Sequence, residues 1–149
     1  MTELLFRPMV EEDVHEVSEI EVDTFSTPWR ETTFRSLLER PGCEMWVAEQ
    51  QPGHIAAYAV LWCIQDEAEL ANIAVRPMLQ RRGIGAELLD CVLGLAFERG
   101  VKRVYLEVRT SNEAAQTLYT SRGFEQVGVR RNYYERPRED AWILLKRLA

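Results

Sequence analysis

The sequence predicts an α/β fold built around a mixed central sheet. Apolar segments with strand-like patterns alternate along the chain with segments of helical periodicity. Short proline and glycine stretches separate these segments, and no repeat, low-complexity tract or linker interrupts them. The strand–helix–strand unit over residues 67–108 has the order of a right-handed parallel crossover. We therefore expect residues 1–149 to form one domain, a length that can bury a substantial core.

The N-terminal third is predicted to hold one strand and two helices. Residues 4–7 should form the first strand, and a helix should begin at residue 11. Its apolar residues recur at roughly helical spacing, at Val14, Val17, Ile20 and Phe25. Thr27 and Pro28 predict the start of a second helix, because threonine can cap a helix and proline fits its first turn. The Pro-Gly pair at residues 41–42 should end that helix.

A three-stranded meander is predicted next. Residues 44–49 alternate as a strand, residues 51–53 form a turn, and residues 54–64 run back as a longer strand. Residues 67–75 form the third strand. Its second half, residues 70–75, is almost continuously apolar, which predicts burial on both faces.

The C-terminal part begins with a strong helix. Its apolar stripe consists of Ile84, Leu88, Val92 and Leu95, and Gly100 should end it. A strand is predicted over residues 104–108 and a helix over residues 112–121, which Gly123 stops. Residues 124–130 and 141–145 should close the chain as an antiparallel pair.

Charge and composition exclude several classes of protein. The formal charge of −6 and a pI of about 5.1 argue against direct binding of nucleic acid and suit a cationic partner. The longest apolar run, residues 55–64, is too short for a bilayer, and the first residues lack the order of a signal peptide. Cys43, Cys63 and Cys91 lack the spacing of zinc ligands or of a disulfide framework. We expect a cytoplasmic protein without a metal, and the composition allows a monomer.

Residues 80–86, Gln-Arg-Arg-Gly-Ile-Gly-Ala, are typical of an anion-binding turn at the start of a helix. Gly83 and Gly85 let the backbone approach a ligand, and free amides at the positive end of a helix favour a phosphate. Arg81 and Arg82 add charge and fork-shaped donors. The segment is not a P-loop, because no Lys-Ser/Thr follows, nor a dinucleotide fingerprint, because the third glycine is missing. The alternative is a glycine-rich helix start with solvated arginines.

Together with residues 73–77, Ile-Ala-Val-Arg-Pro, this turn resembles the acetyl-CoA-binding motif of the GNAT family of N-acetyltransferases. The resemblance implies helices on both faces of the sheet, a splayed pair of parallel strands and acetyl-CoA as co-substrate. The pantetheine arm would lie along Ile73, Ala74 and Val75. The residues that the resemblance implies for the phosphates are Arg81, Arg82, Gly83, Ile84, Gly85 and Ala86.

Three polar residues that follow are candidates for acid–base chemistry or ligand binding. Glu107 lies between two apolar residues of a predicted strand, so it is either a general base or a surface residue paired with Arg109 or Lys102. Asn112 and Tyr119 are seven residues apart, roughly 10.5 Å along a helix, and would share one face. The alternative for Tyr119 is a core position with a satisfied hydroxyl.

Further segments resemble the RimI-type members of the family, which acetylate the N-terminal alanine of a small-subunit ribosomal protein, number eighteen. They are Phe-x-x-Pro-Trp at residues 25–29 and Arg-Arg-Asn-Tyr-Tyr at residues 130–134, and the similarity runs over essentially the whole chain. By position it implies Glu107 as proton acceptor, Asn112 as a cofactor ligand and Tyr119 as proton donor to the departing thiolate. Tyr133 and Tyr134, expected in the loop between the last strands, would line the peptide entrance.

Glu69 complicates the assignment of the base. It occupies a strand position where many enzymes of this family place theirs, so it could share the role, act through water or merely be solvated. We favour Glu107. An N-terminal amine suits a single carboxylate, because neutralising an α-amine of pKa near 7.8 costs about 1.1 kcal/mol at pH 7, against about 4.6 kcal/mol for a lysine.

Direct transfer in a ternary complex is expected, because no cysteine has a neighbouring histidine that would activate it. Two alternatives stay open. One is a GNAT enzyme for other protein N-termini, lysine side chains or a small amine. The other is a non-catalytic acyl-CoA-binding sensor, against which the presence of both Glu107 and Tyr119 argues.

Overall fold

The computed structural model describes residues 4–51 and 53–148, whose strands form one seven-stranded sheet. In chain order the strands are β1 (Leu5–Pro8), β2 (Cys43–Gln51), β3 (His54–Ile64), β4 (Glu67–Val75), β5 (Arg103–Arg109), β6 (Glu125–Tyr134) and β7 (Glu139–Arg147). Their order across the sheet is β1-β2-β3-β4-β5-β7-β6. Every neighbouring pair is antiparallel except β4 and β5, so the predicted mixed sheet is confirmed.

Helices pack on both faces of this sheet. They are α1 (Val14–Thr24), α2 (Glu31–Leu38), α3 (Ile84–Glu98) and α4 (Glu113–Ser121), with short 3₁₀ turns at Glu11–Asp13 and Pro77–Leu79. Helix α3 carries the chain from β4 to the parallel strand β5, which is the predicted crossover. No helix within residues 4–51 and 53–148 combines the length and apolar character that crossing a membrane requires.

Two apolar cores lie on opposite faces of the sheet, because successive side chains of the central strand β3 point in opposite directions. Ala59 and Leu61 belong to the core under α3 and α4, whereas Tyr58 and Val60 belong to the core under α1 and α2. Each core residue of β3 named here is at most 1% exposed. The apolar faces of the predicted helices therefore cover both faces of one sheet.

The second helix begins later than predicted. Thr27 and Pro28 lie in the loop between α1 and α2, and α2 starts at Glu31 without a side-chain cap. The physical reason is a contact with the preceding helix, since the backbone N–H of Trp29 donates to Oε2 of buried Glu21 on α1 at 2.8 Å. That contact fixes the loop in a non-helical path that local signals cannot reveal. Of the predicted turn at residues 51–53, Pro52 lies outside the described residues.

Strands β4 and β5 diverge soon after they meet. They pair only from Glu67 opposite Arg103 to Glu69 opposite Tyr105. Just beyond, β4 carries a bulge, because Leu61 and Val60 of β3 pair with Leu70 and Asn72 and leave Ala71 without an opposite residue. A bulge bends its strand and increases the local twist. The result is the splayed parallel pair implied by the family resemblance.

The splay explains why one burial prediction is wrong. Residues 70–75 were expected to be buried on both faces, yet only Leu70 and Ala74 are fully buried and the other four are partly exposed. Their apolar side chains lie along a strand whose second edge has lost its neighbour. An apolar strand at such an opening can contact a ligand as well as the core.

Candidate active site

The turn before α3 presents backbone amides to solvent. Arg81 and Gly83 have positive φ angles of 65° and 81°, and Gly83 occupies the N-cap position of α3. Within the described chain, the amides of residues 83–86 donate to no carbonyl or side chain. Four unpaired N–H groups at the positive end of a helix form an anion-binding site. The exposed side chains of Arg81 and Arg82 flank it.

This turn lies directly against the end of the splayed strand. A Cβ atom added at Gly85 would be 3.2 Å from Cγ2 of Val75, so glycine allows α3 to begin close to β4. The side-chain amide of Gln80 also donates to the carbonyl of Val75 at 3.2 Å. An anion held by the turn would thus be adjacent to the carboxyl end of β4.

The backbone beyond the bulge in β4 has one free edge. Ile73, Ala74 and Val75 pair with β3, and in the described sheet the edge toward β5 has no strand beside it. An elongated molecule with amide groups could pair with this edge as a neighbouring strand would. The turn and the free edge together fit a pyrophosphate joined to a pantetheine arm.

Glu69 and Glu107 meet where the two strands begin to separate. Glu69 is level with Tyr105 of β5, and Glu107 lies two residues further on the same face. Burial raises the pKa of Glu69, and the charge of Glu107 and a hydrogen bond with it raise that pKa further. The structure therefore brings both sequence-predicted carboxylates together, and Glu69 holds its proton more strongly than an isolated glutamate.

Glu107 is paired with a partner that sequence reasoning missed. Its side chain is 18% exposed and accepts a hydrogen bond from Nη1 of Arg130 at 3.3 Å. Neither Arg109 nor Lys102, the partners considered from the sequence, forms a salt bridge with it in the described chain. Arg130 belongs to the Arg-Arg-Asn-Tyr-Tyr segment, but its target lies 23 residues away in sequence.

Tyr119 is buried on α4 and belongs to the core under α3 and α4. It is 7% exposed, and its ring packs edge-on against Phe124 with centroids 5.7 Å apart. Burial raises the pKa of Tyr119, and the nearby hydroxyl of Tyr134 adds to the effect. The phenol of Tyr119 therefore stays protonated at neutral pH. Asn112, the first residue of the helix predicted over residues 112–121, is the N-cap of α4, and its side chain accepts a hydrogen bond from the amide of Ala115 at 3.1 Å.

Tyr133 lies near both carboxylates and Tyr134 lies near Glu107, but neither tyrosine is in the loop predicted for it. They form the end of β6, because β6 continues past Arg130 and pairs Tyr134 with Glu139. Burial raises the pKa of Tyr133, and the charges of Glu107 and Glu69 contribute. Burial, Tyr133 and Glu107 raise the pKa of Tyr134 to about 12. This pair of aromatic side chains, which interacts electrostatically with the carboxylates, forms one wall of the opening between β4 and β5.

Two arginines hold that aromatic wall. The guanidinium of Arg130 lies 4.7 Å from the ring centroid of Tyr133, and that of Arg109 lies 4.3 Å from the ring centroid of Tyr134. Arg109 also donates to Glu139 at 3.1 Å. Hydrogen bonds from Ser111, Arg109 and Thr110 lower the pKa of Glu139 to about 2. Sequence reasoning had no signal for this contact, since Arg109 and Glu139 are 30 residues apart.

The cysteines and histidines do not converge on the opening. Cys43, Cys63 and Cys91 are free and partly buried, and burial raises the pKa of each thiol. A thiol of raised pKa forms little thiolate and is a poor nucleophile at neutral pH. His15 and His54 are exposed. Among the described residues, no three His, Cys, Asp or Glu side chains are grouped so that they could hold a metal ion.

Comparison with known proteins agrees with this geometry. Residues 14–124 match the acetyltransferase (GNAT) family. An Escherichia coli protein named ribosomal protein bS18-alanine N-acetyltransferase is 42% identical over 127 residues, covering 84% of this chain and 84% of the relative. A Haemophilus ducreyi protein of the same name is 36% identical over 144 residues, covering 94% and 97%. The crystal structure of the Escherichia coli ribosomal-protein-S18-alanine N-acetyltransferase has a TM-score of 0.91 at 37% identity, covering 99% of this chain and 95% of that one.

Proposed function

The chain belongs to the acetyltransferase (GNAT) family, and on that premise we propose that it transfers the acetyl group of acetyl-CoA to the N-terminal alanine amine of ribosomal protein S18. The observation that carries the proposal is the meeting of Glu69, Glu107, Tyr133 and Tyr134 where β4 and β5 separate. Relatives named for this activity, at 36% and 42% identity, support the choice of acceptor. The activity is assigned to the whole chain as one domain in the cytoplasm, where ribosomal proteins are made.

Acetyl-CoA would bind along the splayed strand with its diphosphate at the turn before α3. The amides of residues 83–86 would hold the diphosphate, and Arg81 and Arg82 would add charge. The free backbone edge at residues 73–75 would pair with the pantetheine amides. Asn112, the N-cap residue of α4, is assigned to binding of the same cofactor.

Glu107 is the proposed proton acceptor. The attacking amine must be neutral, and at pH 7 an α-amine of pKa near 7.8 costs about 1.1 kcal/mol to deprotonate. A carboxylate at the opening is adequate for that task, directly or through one water. The raised pKa of Glu69 makes this carboxylate more basic than an isolated glutamate when it is ionised, so Glu69 is the alternative base. Glu107 is preferred because the family resemblance assigns the role of proton acceptor to its position. We assign Glu69 a secondary role in orienting Glu107 and the amine.

Tyr119 is the proposed proton donor to the departing thiolate of coenzyme A. Burial raises the pKa of Tyr119, so the phenol stays protonated, which is the state that proton donation needs. The amine nitrogen would form a bond to the acetyl carbon as the carbon–sulfur bond breaks. The thiolate would take a proton from the phenol, and the proton that leaves the nitrogen would restore the phenol through solvent. Transfer is direct, because the partly buried thiols of raised pKa are poor nucleophiles.

Tyr133 and Tyr134 are assigned to the peptide entrance. Tyr133 is 43% exposed, whereas Tyr134 is partly buried, so the pair runs from the surface toward the carboxylates. Aromatic side chains of this kind contact a peptide backbone with little loss of side-chain entropy. Their arginine partners keep both rings in place.

The test is the acceptor specificity of the purified protein. It is incubated with acetyl-CoA and peptides of one sequence whose first residue is Ala, Ser, Gly or Met, alongside an amino-blocked peptide that contains lysine. Mass spectrometry should find one acetyl group on the α-amine, with N-terminal alanine turned over fastest. Incubation with small-subunit ribosomal proteins should modify S18. Acetylation of the lysine peptide alone would show that the acceptor is a lysine side chain and not an N-terminal alanine. If no acceptor leads to release of free coenzyme A, the protein is better described as a non-catalytic acyl-CoA-binding sensor.

A further inference from the structure

Glu21 is a buried carboxylate that the proposed chemistry does not use. It lies on α1, is 1% exposed, and its neighbours on the same helix face, Val17 and Ile20, are apolar. No salt bridge among the described residues includes it. An ionisable group without a cationic partner is costly to bury, so its presence calls for a geometric explanation.

The carboxylate joins three separate parts of the fold. One oxygen, Oε2, accepts the backbone N–H of Trp29 in the α1–α2 loop (residues 25–30) at 2.8 Å. The other, Oε1, accepts the hydroxyl of Tyr58 on β3 and the side-chain amide of Asn72 on β4, the latter at 2.6 Å. Only a carboxylate can accept at both oxygens from all three donors without changing any of them.

The two ends of this connection lie on opposite sides of the opening between β4 and β5. Asn72 follows the bulge in β4 and precedes residues 73–75, the edge assigned to acetyl-CoA. The α1–α2 loop reaches the other side, because Oγ of Ser26 accepts from Nη2 of Arg109 at 3.3 Å. Arg109 in turn lies over the ring of Tyr134. Glu21 thus links the edge for the donor to the loop that touches the aromatic wall.

We propose that Glu21 is a positioning residue that fixes the α1–α2 loop relative to β4, so that the acceptor amine enters in line with the acetyl donor. This role rests on the proposed acetyl transfer, although the contact between Glu21 and the loop can be tested without it. Trp29 is the critical point of attachment. Its ring packs on Phe34 with centroids 5.5 Å apart, and Phe34 packs edge-on against Tyr58 at 5.8 Å.

The test compares three variants by two independent readouts. Glu21→Met keeps most of the volume and removes every acceptor, and Glu21→Gln keeps the shape but offers one acceptor oxygen. Tyr58→Phe is the matched control, because it removes a hydrogen bond from the same cluster and leaves the Trp29 contact intact. The readouts are amide hydrogen exchange at Trp29, and KM for an N-terminal alanine peptide measured beside the Kd for acetyl-CoA.

In Glu21→Met, exchange at the Trp29 amide should accelerate about tenfold or more, as expected for loss of one hydrogen bond that closes the loop. KM for the peptide should rise by a similar factor of about ten, while the Kd for acetyl-CoA stays within about threefold. Tyr58→Phe should lower Tm without changing either Trp29 exchange or KM. Across all folded variants, KM should follow the exchange rate of the Trp29 amide.

Each result decides the proposal. Wild-type protection at Trp29 in both Glu21 variants, or an unchanged KM in a variant that has lost the protection, would overturn it. If Glu21→Met does not fold, Glu21→Gln and Tyr58→Phe supply the comparison. The hydrogen-exchange measurement needs no acceptor peptide, so it tests the contact between Glu21 and the loop independently of activity. A wild-type protein that acetylates no alanine peptide would refute the proposed function without affecting that measurement.

Discussion

Nη1 of Arg130 lies 3.3 Å from Oε1 of Glu107, so the proposed base is paired with a cation before any amine arrives. The guanidinium is more than half exposed and rests over the ring of Tyr133 at the peptide entrance. An exposed ion pair is weak and is readily exchanged. An incoming α-ammonium group can replace Arg130 as the cationic partner of Glu107. Glu107 then loses only a weak, solvent-screened ion pair and forms a contact with the substrate.

Glu107→Gln should lower turnover by a factor of about 10² to 10⁴, the usual contribution of a general base. The loss should be greatest at neutral and lower pH, where most of the amine carries its proton. Stopped-time assays of coenzyme A release between pH 6 and 9 measure this, and the Kd for acetyl-CoA, measured by calorimetry, should be unchanged.

Glu69→Gln is the matched control for the base, since it is the same change at the neighbouring carboxylate. It should reduce turnover less than Glu107→Gln. In Glu107→Gln the pKa of Glu69 should fall, because the negative charge that raises it is gone. A carboxyl titration followed by NMR records that shift. A nearly normal pH profile for Glu107→Gln, combined with an inactive Glu69→Gln, would transfer the role of base to Glu69.

Tyr119→Phe should reduce turnover by about 10² or more, because it removes the proposed proton donor and nothing else. The ring contact with Phe124 needs no hydroxyl, so Tm should change little. Tyr134→Phe is the comparison, since it deletes the adjacent hydroxyl and keeps the ring beneath Arg109. That variant should affect KM more than kcat. Equal kcat values for Tyr119→Phe and wild type would remove the acid from the mechanism.

The parts of the site that the sequence predicted are those encoded by neighbouring residues. The turn around Gly83 depends on residues next to each other, and so does the placement of Glu107 within its strand. The late start of α2 was missed because it depends on a hydrogen bond between Trp29 and Glu21. These residues are eight positions apart in the sequence, and one lies in the loop and the other on α1. The pairing of Arg130 with Glu107 was missed because 23 residues separate them.

Tyr133 illustrates a third kind of error. The predicted strand ended at residue 130 and left Tyr133 in the following loop, but β6 extends to residue 134 with an irregular register after Arg130. Register breaks depend on the partner strand, and single-strand patterns do not encode them. The residue types at the site were therefore predictable, whereas their contacts across the sheet required the fold.

Gly83→Ala should weaken acetyl-CoA binding by about tenfold and also destabilise the protein. A φ of 81° costs a residue with a Cβ about 1 kcal/mol or more, and relief of that strain would turn the amides away from the phosphates. Isothermal titration gives the Kd, and urea unfolding gives the free energy of unfolding.

Gly94→Ala provides the control in the same helix. Gly94 is exposed in the interior of α3, and an added Cβ would have no atom within 4 Å. Alanine there should stabilise the protein by about 0.5–1 kcal/mol and leave the Kd unchanged. Equal effects of the two substitutions on acetyl-CoA binding would contradict the assignment of the turn.

A partly buried ion pair near the N-terminus should make the fold sensitive to acid. Arg7 donates to both carboxylate oxygens of Asp13 at 2.7 and 2.8 Å, and the amide of Val10 donates at 2.9 Å. Burial opposes ionisation of Asp13, but these hydrogen bonds outweigh it and hold its pKa below the ordinary value. Asp13 therefore stabilises the fold above the unfolded pKa, near 3.9, and this contribution is lost as the pH falls through the folded pKa.

Asp13→Asn should accordingly lower the free energy of unfolding by about 1–3 kcal/mol at pH 7, and the difference from wild type should shrink below about pH 4. Urea unfolding at pH 7, 5 and 3.5 measures it. Taking the difference between the two proteins removes the contribution of Glu21, whose pKa is raised by burial and which has the opposite pH dependence. Glu31→Gln, which breaks the exposed pair with Arg35, should cost less than about 0.5 kcal/mol at every pH. A deficit for Asp13→Asn that stays constant down to pH 3.5 would show that packing, and not the charge on Asp13, accounts for its role.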